Sequence, residues 1–342
     1  MIIDNFPDRT IQVEGKEYLY FGGTSYLGMA SQRDFQKLLI KNISQWGTNY
    51  GSSRNSNIKL SVYKEFEQAF SNFIGVDATA SVSSGMLAGK LVMKYLFKSA
   101  TSFYHYPKTH PAIISPNSFP LFIDGKLNNR LYDKVEEKIV ISADAVLSLE
   151  VKATNFDFLE SIPRNKTITL VIDESHSLGV LGKRGSGILS DIAAKTSTRK
   201  VVVSSMGKAM GLSFGVVCGD SDFIEELKNE PDFISSSGTN PAFLATFLQS
   251  EDIYKSQRIN LKSNLKFIHA NLNPIYNFNK QYPVLYSKDS SLYSSLLSEN
   301  MVISKFKYPT YEDYMNRIVF TANHKTKDLK KLIHTLNLNY GN

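Results

Sequence analysis

Apolar residues recur along this chain in two rhythms, and the switching between them lays out an α/β plan. Leu60, Tyr63, Phe66, Phe70 and Phe73 fall on one side at helical spacing, so Leu60–Ile74 reads as an amphipathic helix stopped by Gly75. Asp34–Trp46 has the same rhythm with Ser31 as its capping candidate, and Leu87–Phe97 follows the small-residue turn Ser83–Ser84–Gly85–Met86. Continuous aliphatic and β-branched runs read as strands: Tyr18–Phe21, Ala78–Ser83, Ser102–Tyr106, Ala112–Ser115, Lys138–Ser142, Ile168–Ile172, Val201–Val203 and Phe214–Cys218. Helical stretches alternating with strands over residues 41–230 predict a doubly wound, mainly parallel sheet. Beyond Asp232 the pattern changes. The loop Ser235–Pro241 leads to one long helix or two over Ala242–Leu272. Short strands near Val284–Leu285 and Val302–Ile303, a segment Lys307–Thr310, a strand Arg317–Thr321 and a closing helix Thr326–Leu336 follow. Residues 231–342 thus read as a smaller α+β domain, and residues 1–40 as a largely irregular arm packing with it.

Composition narrows the function without choosing it. A chain of 342 residues with 42% apolar content has room for two domains and a substantial core. Its net charge of +7 arises from 39 basic and 32 acidic residues spread along the chain, which suits anionic cofactors and substrates and lacks the dense basic tail of a nucleic-acid binder. The single cysteine, Cys218, has no intrachain partner and sits among apolar residues, the expectation for a buried thiol in a reducing compartment. The first residues show no basic start leading into an apolar run, and no stretch approaches about 18 consecutive apolar residues. The expected setting is the cytoplasm.

Candidate chemistry centres on Val201–Asp220, where Lys208 lies in a Gly/Ser-rich turn between two hydrophobic strands. A lysine taken out of water loses affinity for its proton and becomes a nucleophile able to form an imine with an aldehyde. A solvated loop lysine is the alternative, and this stretch alone leaves both open. A second strand, Ile168–Ile172, ends in Asp173–Glu174–Ser175–His176. Ligand-binding groups gather beyond the carboxyl ends of strands in open α/β sheets, which places Asp173 to meet Lys208. For a pyridine cofactor the pair has a chemical reason: lysine holds pyridoxal 5′-phosphate (PLP), and a carboxylate keeps the ring nitrogen protonated.

The acidic box also looks like a nucleotide-driven helicase motif, which requires a phosphate loop. The nearest stretch, Gly85–Leu91, is one residue short of that loop and lacks its hydroxyl. The strand, turn and helix start at Ala78–Met86 instead form a natural anion site, suited to a cofactor phosphate, with a plain capped helix as the alternative.

Together these residues resemble the α-oxoamine synthases, the fold-type I PLP enzymes that include 8-amino-7-oxononanoate synthase, glycine C-acetyltransferase (2-amino-3-ketobutyrate CoA ligase), serine palmitoyltransferase and 5-aminolevulinate synthase. The likeness runs from Tyr18–Phe21 and Ser25–Gly28 through to Arg317 and Ala322–His324. It implies a large domain with a mainly parallel sheet flanked by helices, plus a small C-terminal α+β domain. By that resemblance, Lys208 would be the Schiff-base lysine, Asp173 the partner of the ring nitrogen, His110 the ring-stacking histidine, and His176 and Ser148 neighbours of the cofactor's 3′ oxygen. Ser84, Gly85, Met86 and Ser205 would surround the phosphate, and Arg317 would clamp the amino-acid carboxylate. Ser236 and Ser237 match the loop that reaches the other subunit's phosphate in family homodimers. Arg54 belongs to the family's Gly-Ser-x-Arg loop with no role assigned.

Several positions depart from the family pattern. Thr24–Ser25 replaces an amide-bearing pair, so Ser25 would stand in the substrate site without the amide. Gly89 stands where Asn is common, and Ile58 and Phe214 stand where glycines are usual. The implied activity is condensation of a small amino acid with an acyl thioester, carried by coenzyme A or a carrier protein. The rival readings are a PLP aminotransferase or related carbanion enzyme without acyl-CoA, and a non-catalytic scaffold. No metal site is expected.

Overall fold

The β-branched runs form strands and the periodic segments form helices, and their order along the chain decides what meets at the strand ends. The computed structural model describes residues 1–193, 198–307 and 314–338. In chain order the arm supplies β1 (Thr10–Val13) and β2 (Lys16–Phe21), followed by α1 (Arg33–Trp46) and α2 (Ser61–Ile74). Next come β3 (Ala78–Val82), α3 (Gly85–Leu96), β4 (Ser102–His105), the two-residue strands β5 (Phe119–Pro120), β6 (Phe122–Ile123) and β7 (Lys126–Leu127), then β8 (Glu137–Asp144), β9 (Lys166–Asp173), β10 (Arg199–Ser205) and β11 (Gly215–Gly219). The remainder is α4 (Ser221–Lys228), α5 (Pro231–Ser235), α6 (Pro241–Leu248), α7 (Glu251–Asn271), β12 (Val284–Ser287), α8 (Leu292–Ser298), β13 (Met301–Phe306), β14 (Met315–Val319) and α9 (Thr326–Leu338). No helix among the described residues is long and apolar enough to cross a membrane.

Seven strands form the larger sheet in the order β3-β11-β10-β9-β8-β4-β5. β11 runs antiparallel to both of its neighbours, and the other pairings in the sheet are parallel. One face packs on Leu91, Val92 and Leu96 of α3 and Phe223, Ile224 and Leu227 of α4; the opposite face joins α2 through Phe66 and Phe70. This agrees with the expected mainly parallel sheet, with two corrections. Ala112–Ser115 is not a strand: Pro111 opens a short 3-10 turn, Pro111–Ile113, capped by His110 Nδ1. Among the described residues the connections from β4 to β8, β8 to β9 and β9 to β10 carry short 3-10 turns where helices were expected. Prolines 107, 111, 116, 120 and 163 interrupt much of that chain, removing amide donors and the 3.6-residue rhythm.

The smaller sheet has the order β1-β2-β13-β14-β12, so the arm is part of it: β2 pairs in parallel with β13, Leu19 opposite Met301. Residues read as largely irregular therefore hold a two-strand hairpin, turned at Glu14–Gly15 with both φ positive. The segment beginning at Lys307 lies, from Tyr308 to Thr310, outside the described residues. Helix α1 starts from Gln32, whose side chain accepts the Phe35 amide at 2.6 Å, and not from Ser31, which belongs to a preceding 3-10 turn and bonds back to the Gly28 carbonyl. The alternative left open over Ala242–Leu272 resolves as two helices, α6 and α7.

The tightest packing in the larger sheet lies where β11 passes the turn before α3. A Cβ added at Gly215 would sit 2.2 Å from the Ser84 carbonyl oxygen, and one at Gly85 would sit 2.6 Å from Ser205 Cβ. Gly215→Ala is therefore expected to lower stability by roughly 2–3 kcal/mol, measured as a shift in the chemical-denaturation midpoint at unchanged slope.

Candidate active site

Parallel pairing puts the carboxyl ends of β8, β9 and β10 on one edge of the larger sheet, where β3, antiparallel to β11 as β10 is, also ends, and each end delivers a polar group. Asp144 and Asp173 are register partners, and Asp173 is also opposite Val203 of β10. Asp173 Oδ1 accepts the Ser175 amide at 2.8 Å, and Ser175 Oγ in turn accepts the Ser205 amide at 2.8 Å, which ties the two strand ends together. β10 then enters the turn that carries Lys208. The turn closes through the Gly211 amide to the Lys208 carbonyl and the Leu212 amide to the Met206 carbonyl. Gly211 has φ +73°, and a Cβ there would lie 2.6 Å from Met29 Cβ, so the arm presses directly on the turn.

The Lys208 ammonium is thereby half-buried. Burial lowers its proton affinity; Asp173 and then Asp144 oppose that shift, and Arg317 adds to it. Asp173, Asp144 and Arg317 thus all act on the Lys208 ammonium. Asp144 is only 4% exposed, and burial followed by the Asp173 charge raises its carboxyl pKa well above the usual range, against the His110 amide and Lys208. Asp144 Oδ1 accepts that His110 amide at 3.0 Å. His110 Nδ1 accepts the Ala112 amide at 3.2 Å, which leaves the ring proton on Nε2. Its pKa is lowered by burial, countered by Asp173 and reinforced by Lys208 and Lys90. Lys90 itself donates to the Pro111 carbonyl at 2.9 Å, away from any phosphate-loop geometry.

At the start of α3, Ser84 Oγ accepts the Leu87 amide at 3.1 Å and Ser84 O accepts that of Ala88, leaving the amides of Gly85 and Met86, among the described residues, as the free donors of the helix start. Ser205 Oγ accepts the Gly207 amide at 3.3 Å beside them. The departure at Gly89 has a packing reason: a Cβ there would lie 2.7 Å from the Ala112 carbonyl in the His110 turn. Phe214 fills its glycine position as a buried ring, 5.3 Å centroid to centroid from Phe66.

The smaller sheet closes the site from the other side. Arg317 on β14 donates from Nη2 to the Gly23 carbonyl at 3.2 Å and packs over Phe306, while its Nε is buried with no hydrogen-bond partner among the described residues. Ser25 lies between Gly23 and Tyr26, whose hydroxyl is 2.8 Å from His176 Nδ1. Ser148 sits four residues past Asp144 on a loop fixed by Thr154, whose Oγ1 donates to the Asp144 carbonyl at 2.6 Å. Ser236 and Ser237 follow α5; Ser236 Oγ donates to the Phe233 carbonyl at 3.0 Å, and Thr239 Oγ1 anchors the loop to the Val82 carbonyl at 2.8 Å. That anchor puts the loop beside the β3 end of its own chain. Arg54 is a structural cation: it pairs with Glu67 at 2.8 Å, donates to the Ser81 carbonyl at 2.9 Å and stacks on Tyr63.

Sequence reasoning passed over three residues here. Asp144 was findable, because it ends a strand as Asp173 does. The contact of Tyr26 with His176 and Tyr282 had no local signal, since 150 and 256 residues separate the partners. Glu174, fully buried, accepts the Ile188 amide at 2.9 Å and bonds the Ser177 hydroxyl, pinning the Gly182–Gly187 loop behind the site.

The model of the family described as "Aminotransferase class I and II" matches residues 129–336, more than half of the chain. The chain belongs to that family. Over 98% of its length it is 23% identical to a putative 8-amino-7-oxononanoate synthase of Rippkaea orientalis, covering 93% of that protein. It is 25% identical to a serine palmitoyltransferase of Sphingobacterium spiritivorum, over 75% of this chain and 66% of that one. Among solved structures, a serine palmitoyltransferase variant from S. paucimobilis with bound PLP–myriocin superposes with a TM-score of 0.83 at 17% identity, covering 98% of this chain and 91% of that one. The structural likeness shows a fold-type I architecture, and the relatives' names agree with the resemblance to α-oxoamine synthases.

Glu174 supplies a test of the strand-end environment. Burial raises its pKa from 4.5 to about 7, against the Ser177, Ile188 and Leu189 bonds, with Asp173 adding to the rise. Folding therefore takes up a proton between those values. The stability this group contributes is fully present below the unfolded pKa and is lost as pH rises through the folded one. Glu174→Gln is expected to remove that part of the slope, so that the wild-type protein loses up to about 3 kcal/mol relative to the variant between about pH 4.5 and 8 in denaturation curves.

Proposed function

We propose that this chain is a PLP-dependent acyltransferase of the α-oxoamine synthase type, condensing a small amino acid with an acyl thioester to give an α-amino ketone or a β-keto amino acid. The observation that carries the reading is the half-buried Lys208 ammonium acting on Asp173 and Asp144 at the ends of adjacent parallel strands. The residues present fit the cofactor. The start of α3 presents the Gly85 and Met86 amides beside Ser205, and the buried Arg317 Nε lacks the acceptor that a substrate carboxylate would supply. In this reading the Gly85 and Met86 amides with Ser84 and Ser205 hold the phosphate, Asp173 takes the ring nitrogen, and His110 covers one ring face. When bound, PLP supplies an aldehyde carbon for a primary amine and a ring that withdraws electrons from the substrate α-carbon.

The chain's own groups do the rest. Lys208, its proton affinity lowered by burial, serves as the amine and, once displaced by substrate, as the base for the α-proton. Arg317, held by the Gly23 carbonyl, turns its remaining donors to the amino-acid carboxylate in a planar fork. Asp144, its carboxyl pKa raised by burial and the Asp173 charge, fixes the His110 backbone. Ser25 narrows the site but offers no amide to the substrate. Ser148 and His176 would hold the cofactor's 3′ oxygen. The functional unit in this proposal is a cytoplasmic homodimer whose Ser236 and Ser237 serve the partner's phosphate. Residues 41–230 form its cofactor-binding domain, residues 231–342 its small domain and residues 1–40 the arm.

The test supplies PLP, candidate amino acids and acyl-CoAs and follows release of free thiol. Release with a matched pair is expected, falling by about 10³-fold or more in Lys208→Ala and by about 10²-fold in Asp173→Asn. The missing amide at Ser25 favours a second reading, an aminotransferase; conversion of the cofactor to its amine form without thiol release for any pair would establish that reading and overturn the synthase.

A further inference from the structure

Tyr26 is 1% exposed, with its hydroxyl 2.8 Å from His176 Nδ1 and 3.4 Å from the Tyr282 hydroxyl. The three groups come from the arm, the turn after β9 and the approach to β12. Burial strengthens the hold of both phenols on their protons, so each enters the contact as a neutral O–H. His176 is neutral as well: burial first, then the charges of Lys208, Arg317 and His110, depress its pKa well below the usual value.

A neutral imidazole carries one N–H, and the partner of one nitrogen decides which nitrogen keeps it. Phenol is a stronger acid than an imidazole N–H, and an imidazole nitrogen is a stronger base than a phenol oxygen. The short contact therefore runs O–H to N. Nδ1 accepts from Tyr26, Tyr282 donates to the Tyr26 oxygen, and the ring proton sits on Nε2. We infer that Tyr26 is a positioning residue that locks His176 in the Nε2–H form, making the ring a hydrogen-bond donor to an anionic oxygen held beside Lys208 and not a proton acceptor. Nε2 has no hydrogen-bond partner among the described residues, which leaves that donor available.

The identity of the anionic oxygen, on the cofactor or on the acyl group, rests on the proposed function; the tautomer is a property of the chain itself. It is therefore measured first on the cofactor-free, full-length protein with ¹⁵N-labelled histidine, by long-range ¹H–¹⁵N correlation near neutral pH, with His176→Asn assigning the ring. Wild type is expected to show Nε2–H. In Tyr26→Phe, which keeps the ring volume, the ratio of Nε2–H to Nδ1–H falls about fivefold to tenfold, the worth of one neutral hydrogen bond, whereas Tyr282→Phe leaves it unchanged. A wild-type ring protonated on Nδ1, or an unchanged ratio in Tyr26→Phe, overturns the inference; should Tyr26→Phe fail to fold, the wild-type tautomer decides alone. PLP addition is followed separately by its visible band. Nε2–H without PLP binding would sink the proposed function and leave the tautomer assignment standing.

Discussion

Everything at the candidate site follows from taking one ammonium group out of water beside two carboxyls. Lys208 cannot be buried for nothing: an unpaired cation in that position would cost several kcal/mol. Asp173 and Asp144 offset the cost only because β8, β9 and β10 run parallel and in register, ending on the same edge. The two acids in turn repel each other, and burial together with the Asp173 charge raises the carboxyl pKa of Asp144, the more buried one, which the His110 amide also bonds. Sheet register, protonation state and the position of His110 are one connected arrangement.

The enclosure depends on contacts between the ends of the chain. Arg9 pairs with Asp328 at 2.8 Å, the Ala322 amide reaches the Tyr26 carbonyl at 3.0 Å, and Asn323 Nδ2 donates to the Gly28 carbonyl and to Asp8. Gly28 is required there, since a Cβ would meet Asn323 at 2.2 Å. Gln257 on α7 donates to both the Leu27 carbonyl and Asn323. These bonds seat the Tyr26 and Gly23 segment between the two sheets, so Arg317 and Tyr26 reach the strand ends that carry Lys208 and His176.

Much of this was legible in the sequence where a local rule applied. Runs such as Val201–Val203 and Ile168–Ile172 gave strands, the Phe66 and Phe70 stripe gave a buried helix face, and the strand-end rule put Asp173 on the sheet edge where β8 and β10 also end. Cys218 is buried as expected, its thiol pushed up to about 12 by burial. The failures share a cause. β1, the strand that pairs with the expected Tyr18–Phe21 strand, has alternation too short to separate from loop, and Ala112–Ser115 has strand-like composition but is bent by Pro111 and tied to His110. Tyr26, Asn323 and Gln257 act through partners far along the chain, where no spacing rule reaches.

The central claim is that position 208 holds the reactive amine. Addition of PLP to the purified protein, reduction with borohydride and peptide mapping by mass spectrometry tests it most directly. The account predicts the pyridoxyl mass on the peptide containing Lys208, with labelling lost in Lys208→Ala. Labelling on a different lysine, or none at all in a folded protein, would contradict it.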